Sequence, residues 1–180
     1  YDSHVLCDLG CGEGYYTAGF AAEEKYGFDM SKEALKHASK NDPSTQYAVA
    51  SIFRLPLEDA SCDTAVTCFA PFAKDEIERV LTQGGRFFFV SPGPKHLFEL
   101  KQLIYDTPYE NEMKDLETTL VKEEEDFISN TFHCEKENLI SLFKMTPYYH
   151  RTRNEDLDKI NHQDGMDITA EFLIRVYQKR

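Results

Sequence analysis

The sequence lacks the features that mark membrane and secreted proteins. Of its 180 residues 41% are hydrophobic, yet no apolar run approaches the length of about 18 residues that a membrane helix requires. We therefore expect neither a membrane span nor a signal peptide, and we expect a cytoplasmic location. The length is sufficient for one domain with a hydrophobic core of its own.

The cysteines show none of the C-x-x-C spacing that is typical of zinc sites and redox motifs. There are five of them, and we expect free thiols in a reducing compartment: Cys7, Cys11, Cys62, Cys68 and Cys134. His133 and Cys134 are adjacent but have no partners at metal-ligand spacing. The sequence therefore predicts no metal site in this chain.

Basic residues are scarce, with 20 Lys and Arg against 32 Asp and Glu, which gives a net charge of −12. Strong nonspecific binding of nucleic acid requires clustered Lys and Arg to neutralise phosphates, so it is not expected of this chain alone. The acids crowd residues 106–126, which we interpret as a solvated connector. The basic residues gather at 95–101 and 151–153.

The most informative segment that is present follows the apolar run Val5–Leu9. Glycines at 10, 12 and 14 alternate with other residues and precede a helix-like pattern. Such a turn lets the backbone approach a nucleotide, because glycine adopts positive φ and has no Cβ. The spacing differs from the G-x-G-x-x-G of dinucleotide enzymes, which disfavours an NAD-dependent dehydrogenase. An ordinary tight turn is the alternative.

With an acid before the first glycine, the segment resembles motif I of class I S-adenosylmethionine (SAM) methyltransferases. The resemblance implies that SAM lies along the backbone and side chains of five residues: Asp8, Gly10, Cys11, Gly12 and Gly14.

A second acid, Asp29, ends the predicted strand Lys25–Asp29 about 20 residues beyond the glycines, where Rossmann-type folds place a ribose-binding carboxylate. Met30 follows it and is assigned to the same cofactor site. The alternative role for Asp29 is to cap the next helix, although Ser31 is also a suitable cap.

Apolar patterns of strand and helix type alternate along the chain, which predicts an α/β fold with helices on both faces of a parallel sheet. The predicted helices are 15–24, 32–40, 75–81, 95–105, 136–143 and 155–162. The predicted strands are 5–9, 25–29, 46–50, 64–69, 86–91, 127–132 and 168–178. The last strand alternates with period two, which favours an antiparallel strand. We expect a Rossmann-like, mostly parallel, seven-stranded sheet of the class I methyltransferase type.

The first crossover is unusually short. Only Ala18–Glu24 separates the glycine segment from the second strand, whereas a parallel crossover normally takes a dozen or more residues. Either this crossover is cramped or residues are missing from it.

Two loops should flank the cofactor at the carboxyl ends of strands, where open α/β sheets bind ligands. After the third strand, Ser51 and the backbone of Ile52 are expected at the adenine edge, although many small-molecule methyltransferases have a carboxylate there. A simple turn at this place is compatible with that role.

The second loop is Phe69-Ala70-Pro71-Phe72, after the fourth strand. Phe69 is assigned to the cofactor site, with core packing as its competing role. Ala70, Pro71 and Phe72 are expected to form the floor of the substrate pocket, with Phe72 stacking on a planar base.

Longer motifs resemble the RlmA family, bacterial large-subunit ribosomal RNA guanine-N1 methyltransferases, some of whose relatives confer macrolide resistance. The similar segments extend along essentially the whole chain: DLGCGEGYY (8–16), RLP (54–56), AP (70–71), SPGPKHL (91–97), ELK (99–101), LIY (103–105), MTP (145–147) and RTR (151–153). The resemblance implies SAM as cofactor and 23S rRNA as partner.

The family begins with a cysteine-rich zinc-binding module before motif I, whereas this chain begins four residues before Val5. We therefore interpret residues 1–180 as the methyltransferase domain alone, with zinc only in the missing module. That module would carry much of the RNA recognition and reconcile an acidic domain with a polyanionic substrate. A homodimer is left open.

Guanine N1 carries a proton and is a poor nucleophile until that proton leaves, so an acceptor at N1 or a donor at O6 would help. Glu13 and His150 are candidate bases, and neither is singled out; carbonyl groups around Ala70 are the alternative.

Four basic residues are expected at the substrate: Arg54, Lys95, His96 and Arg153. Lys95 and His96 should open the helix after the Pro-Gly-Pro turn, where N–H groups and positive side chains can meet a phosphate. Their alternative role is a solvated helix start.

Overall fold

The computed structural model describes residues 3–149 and 152–180, and the chain divides into two compact units. Unit 1 is Tyr1–Ser91, Asp115–Asp126 and Leu173–Arg180, and unit 2 is Pro92–Lys114 and Phe127–Phe172. The assignment of residues 1–180 to one methyltransferase domain stays a prediction.

The described residues form a seven-stranded sheet in the order β3-β2-β1-β4-β5-β7-β6. Its strands are β1 Val5–Leu9, β2 Glu24–Asp29, β3 Gln46–Val49, β4 Cys62–Cys68, β5 Leu81–Pro92, β6 Val121–Glu135 and β7 Gly165–Gln178. The pairs among β1 to β5 are parallel.

Strand β7 runs antiparallel to β5. Lys179 donates its N–H to the carbonyl of Gly85, and Gly93 donates to that of Glu171, so one strand ascends as the other descends. This confirms the predicted mostly parallel sheet with an antiparallel C-terminal strand.

The described residues contain five α-helices: α1 Lys32–Asn41, α2 Lys74–Val80, α3 Phe98–Ile104, α4 Lys136–Lys144 and α5 Asn154–Asn161. Within this part of the chain, no helix has both the length and the apolar character needed to cross a membrane.

The predicted helix over 15–24 is wrong. The segment contains only a 3₁₀ turn, Thr17–Gly19. Strand β2 begins at Glu24 and pairs with β1 from Val5 onward, so too few residues remain for a helix and its return to the sheet.

The predicted start of α3 at Lys95 is also wrong. Leu97 adopts a left-handed conformation (φ 53°) directly before Phe98, the first residue of α3. The N–H of Leu97 bonds to the carbonyl of Thr169 at 2.8 Å. Lys95 and His96 therefore lie in a turn held against β7, and they do not open the helix.

Each unit has its own hydrophobic core. In unit 1 the ring of Phe87 is fully buried and stacks on Tyr177 at 6.3 Å between centroids. In unit 2 the core is formed by residues of α3, α4 and α5 together with residues of β6 and β7. Leu100, Phe143 and Ile168 are fully buried there. Burial of one such side chain stabilises a fold by roughly 1.5–3 kcal/mol.

Candidate active site

The glycine turn follows the carboxyl end of β1. Gly10 and Cys11 donate their N–H groups to the carbonyl of Phe28 at 2.7 and 3.1 Å, which ties the turn to β2. All three glycines have positive φ. A Cβ on Gly10 would lie 2.6 Å from that of Ala70, whereas a Cβ on Gly12 would meet no atom within 4 Å. The face of Gly12 is therefore open to a ligand.

Asp29 is joined to this turn. Its Oδ2 accepts the N–H of Gly12 at 2.9 Å and its Oδ1 accepts that of Ser31 at 2.7 Å. The cap of α1 is Ser31, whose hydroxyl oxygen accepts from Ala34. A carboxylate has about four acceptor sites, so each oxygen retains capacity for one hydroxyl of a ribose. The ribose role of Asp29 stays a prediction, as does a cofactor contact by Met30, whose side chain is 70% exposed.

Asp8 is buried at the base of the turn. Thr17 donates its hydroxyl to Oδ2 at 2.6 Å, while Oδ1 has no hydrogen-bond partner among the described residues. Burial raises the pKa of Asp8 to about 6, against the lowering effect of the Thr17 hydrogen bond. A buried carboxylate oxygen without a donor is costly, and a cationic ligand group would satisfy it. The α-ammonium of SAM is such a group, so these residues fit the cofactor.

This geometry predicts pH-dependent binding of SAM. An ammonium favours the ionised carboxylate, so binding lowers the pKa of Asp8, and affinity should rise as pH increases through about 6 and then level off. Asp8→Asn should weaken binding about tenfold or more, as expected for a lost hydrogen bond to a charged group, and remove the pH dependence. Calorimetric titration of both proteins from about pH 5 to 8 provides the measurement. Parallel pH profiles would contradict this assignment.

The free energy of unfolding of the unliganded chain should change in the opposite direction. The folded pKa of Asp8 lies above its ordinary value of 3.8, so the contribution of this group to stability is complete below that value. It is lost as pH rises through about 6. Denaturant titrations across this range, with Asp8→Asn as the control, separate the folding effect from the binding effect.

Asp29→Ala should weaken SAM binding by ~1–3 kcal/mol, the range for losing hydrogen bonds to a charged group. The matched control is Ser31→Ala, which removes only the cap of α1. It should cost about 1 kcal/mol of stability and leave the affinity for SAM unchanged. Unchanged affinity in a folded Asp29→Ala variant would remove Asp29 from the site.

The loop after β3 is a turn closed on Ser51. The Ser51 carbonyl accepts the N–H of Arg54 at 2.9 Å, and its hydroxyl oxygen accepts that of Phe53 at 3.3 Å. Ile52 packs partly against the core of unit 1, and the Arg54 side chain is exposed. The expected turn is present, and contacts of Ser51 and Ile52 with adenine stay predictions.

In the loop after β4 the core packing considered for Phe69 is made by Phe72 instead, and the cofactor contact expected of Phe69 stays a prediction. Phe72 packs its ring on Phe87 and Phe89, with centroid distances of 5.6 and 6.4 Å. Phe69 is 43% exposed and has a left-handed backbone (φ 60°), so core packing involves the second ring and not the first. Between them, Ala70 contacts the glycine turn and Pro71 is exposed.

In unit 2, Lys95 and His96 are held around buried Glu171. The N–H of Lys95 donates to Glu171 Oε2 at 2.6 Å, and His96 Nδ1 accepts the N–H of Glu171 at 3.3 Å. The imidazole also packs on Phe172. Burial lowers the pKa of His96, which favours the uncharged ring, and the acceptor role of Nδ1 corresponds to a hydrogen on Nε2. The expected contact of Lys95 and His96 with the substrate stays a prediction.

Lys101 does not belong to a basic surface either. It is fully buried, and its Nζ donates to the carbonyl of Tyr109 at 2.9 Å and to Asn111 Oδ1 at 2.8 Å. The Asn111 amide donates onward to the carbonyl of Gly93 at 2.8 Å. Lys101 therefore joins α3 to the segment around Asn111, and Asn111 joins that segment to the Pro-Gly-Pro turn.

Arg153 is exposed and pairs through Nε with Asp156 Oδ2 at 3.1 Å. It lines a pocket with Ile104, Tyr105, Asp106, Thr152 and Asp156. The contact of Arg153 with RNA stays a prediction. Of the candidate bases, Glu13 is exposed in the glycine turn, and His150 lies outside the described residues.

Two residues of the site carried little signal in the amino-acid pattern. Thr17 holds Asp8, and its only signal is a hydroxyl three residues beyond the last glycine. Tyr47 comes from β3, and a Cβ on Gly14 would lie 2.5 Å from its hydroxyl oxygen. Among the described residues no group of three or more His, Cys, Asp or Glu side chains is arranged to hold a metal ion.

Comparison with known proteins identifies methyltransferases as similar in sequence and in structure. Residues 7–89 match the protein family described as "Methyltransferase domain". A methyltransferase-like crystal structure from Bacillus halodurans superposes with a TM-score of 0.67 at 16% identity, covering 99% of this chain and 93% of that one. The structural likeness shows the fold.

Two sequence relatives carry more specific names. YxjB of Bacillus subtilis strain 168, provisionally named a 23S rRNA (guanine-N1-)-methyltransferase, is 28% identical over 201 positions, covering 99% of this chain and 68% of the relative. The 23S rRNA (guanine(748)-N1)-methyltransferase of Streptomyces fradiae is 38% identical over 100 residues, covering 53% of this chain and 36% of the relative. This chain thus spans about two thirds of one relative and matches about a third of the other.

Proposed function

We propose that this chain is a SAM-dependent methyltransferase of the RlmA type, which transfers the methyl group of SAM to N1 of a guanine in 23S rRNA. The observation that supports methyl transfer most directly is the cradle of Asp8, the open Gly12 face and Asp29. The names of the two sequence relatives support the choice of ribosomal RNA.

SAM supplies an electrophilic methyl group, so the task of the protein is alignment of the attacking atom. In this proposal Asp8 binds the ammonium of SAM, Asp29 binds the ribose hydroxyls, and the backbone at Gly12 lies against the cofactor. Met30, Ser51 and Ile52 surround the adenine. With these contacts the sulfonium would lie beyond the carboxyl ends of β1 and β4, where this fold type binds ligands.

On the substrate side, Arg54, Lys95 and Arg153 contribute exposed cations for phosphates. His96, in unit 2, is proposed as a further contact to the RNA. A donor to guanine O6 would stabilise the charge that develops when N1 loses its proton. The base that removes this proton is unassigned.

The deciding experiment is transfer of a labelled methyl group from SAM to unmodified 23S rRNA, followed by primer extension across the product. N1-methylguanine blocks the Watson–Crick edge, so reverse transcription should stop at one guanine. Expression of the protein in a strain that lacks this modification should also change macrolide sensitivity. Label on a ribose, or on an atom that leaves base pairing intact, would refute the guanine-N1 assignment.

The second candidate is a SAM-dependent methyltransferase of a small molecule, which the net charge of −12 favours. The labelled-SAM assay with a metabolite extract in place of RNA distinguishes the two. Incorporation into a small molecule with none into rRNA would favour this alternative.

A further inference from the structure

Three aromatic side chains are exposed beyond the carboxyl ends of β1 and β4. Tyr15 is 83% exposed, Tyr16 46% and Phe69 43%. A single exposed aromatic residue requires no explanation. These three, which we call the aromatic patch, follow two neighbouring strands on either side of the proposed cofactor turn.

The segments that carry the patch lie close to one another. Strands β1 and β4 are paired in parallel up to Asp8 and Val66, and Gly10 approaches Ala70 so closely that it has no room for a Cβ. Burial raises the pKa of Tyr16, with a smaller electrostatic contribution from Cys68, the last residue of β4.

The geometry of two rings in the patch is defined. Tyr15 and Tyr16 pack edge to face, with centroids 5.2 Å apart and planes at 87°. The ring of Tyr15 therefore packs against that of Tyr16 while most of the Tyr15 side chain remains exposed to water. An aromatic face presented in this way is suited to stacking with a planar partner.

Phe69 reaches its exposed position through an uncommon backbone conformation. Its φ of 60° lies in the left-handed region, which costs a residue other than glycine about 1–2 kcal/mol. Its N–H is bonded to the carbonyl of Val90 at 3.0 Å. The strained residue keeps an aromatic ring partly in solvent while Phe72 packs in the core, and such local strain is typical of functional sites.

Charge restricts the kind of partner. The chain carries a net charge of −12, and Glu13 is exposed two residues before Tyr15, so a phosphate backbone is not attracted here. A nucleobase presents an uncharged π face that stacks on aromatic rings whatever its identity. Unpaired bases satisfy both conditions, whereas the outside of a duplex does not.

We propose that the aromatic patch binds unpaired nucleobases of the RNA substrate by stacking, with Tyr15 as the principal contact and Phe69 as the second. This assignment rests on the proposed RNA substrate. Tyr15 would then contact the substrate directly after glycines that are assigned to SAM.

The test uses the SAM-loaded chain and a single-stranded RNA oligonucleotide that contains 2-aminopurine, whose fluorescence is quenched by stacking. Tyr15→Ala should reduce affinity about tenfold, as expected for one lost base–aromatic stack, and should reduce the quenching. Tyr15→Phe should retain both properties. Phe69→Ala should weaken binding in the same direction.

Two controls isolate stacking. Phe132→Ala removes another exposed aromatic side chain, on β6, and should change neither affinity nor quenching. The salt dependence of binding should be the same in Tyr15→Ala as in the unaltered chain, because no phosphate contact is lost.

The inference is overturned if Tyr15→Ala binds the oligonucleotide as the unaltered chain does. It is also overturned if this variant loses SAM affinity to the same extent as RNA affinity, since the ring would then belong to the cofactor site. If the chain methylates 23S rRNA and Tyr15→Ala leaves the KM for RNA unchanged, the inference fails and the proposed function stands. Methylation of a small molecule alone would refute both.

Discussion

Replacing Gly12 by alanine is expected to weaken SAM binding about tenfold to a hundredfold while the chain remains folded. An added Cβ would meet no protein atom within 4 Å, so the methyl group would occupy the space in which we place the cofactor. Forcing an extra carbon into a close contact costs roughly 1–3 kcal/mol. Isothermal calorimetry with SAM measures the effect directly.

Gly84→Ala is the matched control. Gly84 has a φ of 80°, and its added Cβ would also meet nothing within 4 Å. It lies near the amino end of β5, at the opposite end of the parallel strands from the glycine turn. Both variants should lose about 1–2 kcal/mol of stability from the left-handed backbone, measured by thermal unfolding. Only Gly12→Ala should lose SAM affinity. Equal SAM affinity in the two folded variants would show that the cofactor does not contact Gly12.

Joining the chain to a zinc-binding module of the RlmA family, which it resembles, is expected to raise rRNA methylation about a hundredfold or more. The chain alone carries a net charge of −12 and its cationic groups are partly used internally, with Lys101 buried and Arg153 paired to Asp156. Clustered Lys and Arg raise affinity for RNA by neutralising phosphates, and a protein that makes about six to ten phosphate contacts loses roughly 10³–10⁵-fold in affinity between about 50 and 200 mM salt. Turnover on rRNA and RNA affinity, measured over a salt series, test this expectation.

The affinity for SAM should be the same with and without the module, since the proposed cofactor residues lie within unit 1. The fused protein should lose RNA affinity steeply as salt rises, whereas the isolated chain should bind weakly throughout. Equal turnover and equal RNA affinity of the two proteins would show that the module is dispensable.

The sheet was largely predictable because its signals are local. Apolar runs ending in glycine or a carboxylate marked β1 and β2, and the period-two pattern marked β7. The same local signals predicted a helix over 15–24 that is not formed, because the connection between β1 and β2 is too short to hold one. Strand β2 pairs with β1 from Glu24 onward, and the short connection leaves room only for the 3₁₀ turn.

The candidate site was predictable to the same extent. Glycines at positions that require positive φ and an acid at the end of β2 are local features of the sequence. They can be identified without knowing which residues become neighbours in space. Whether Phe69 or Phe72 enters the core depends on the conformation of one residue at the end of β4 and on the rings of β5. No spacing rule in the sequence encodes that choice.

The sequence by itself determined an α/β fold of the class I methyltransferase type, with a glycine turn, a preceding acid and a second acid 15 residues beyond the last glycine. Only the tertiary structure decided the states of the polar groups: Asp8 with one oxygen lacking a donor, Lys101 buried, and His96 neutral against Glu171. The physical reason is that turns and periodicity arise from neighbours along the chain. Burial, hydrogen bonding and pKa arise from groups that are distant in sequence and meet only in the fold.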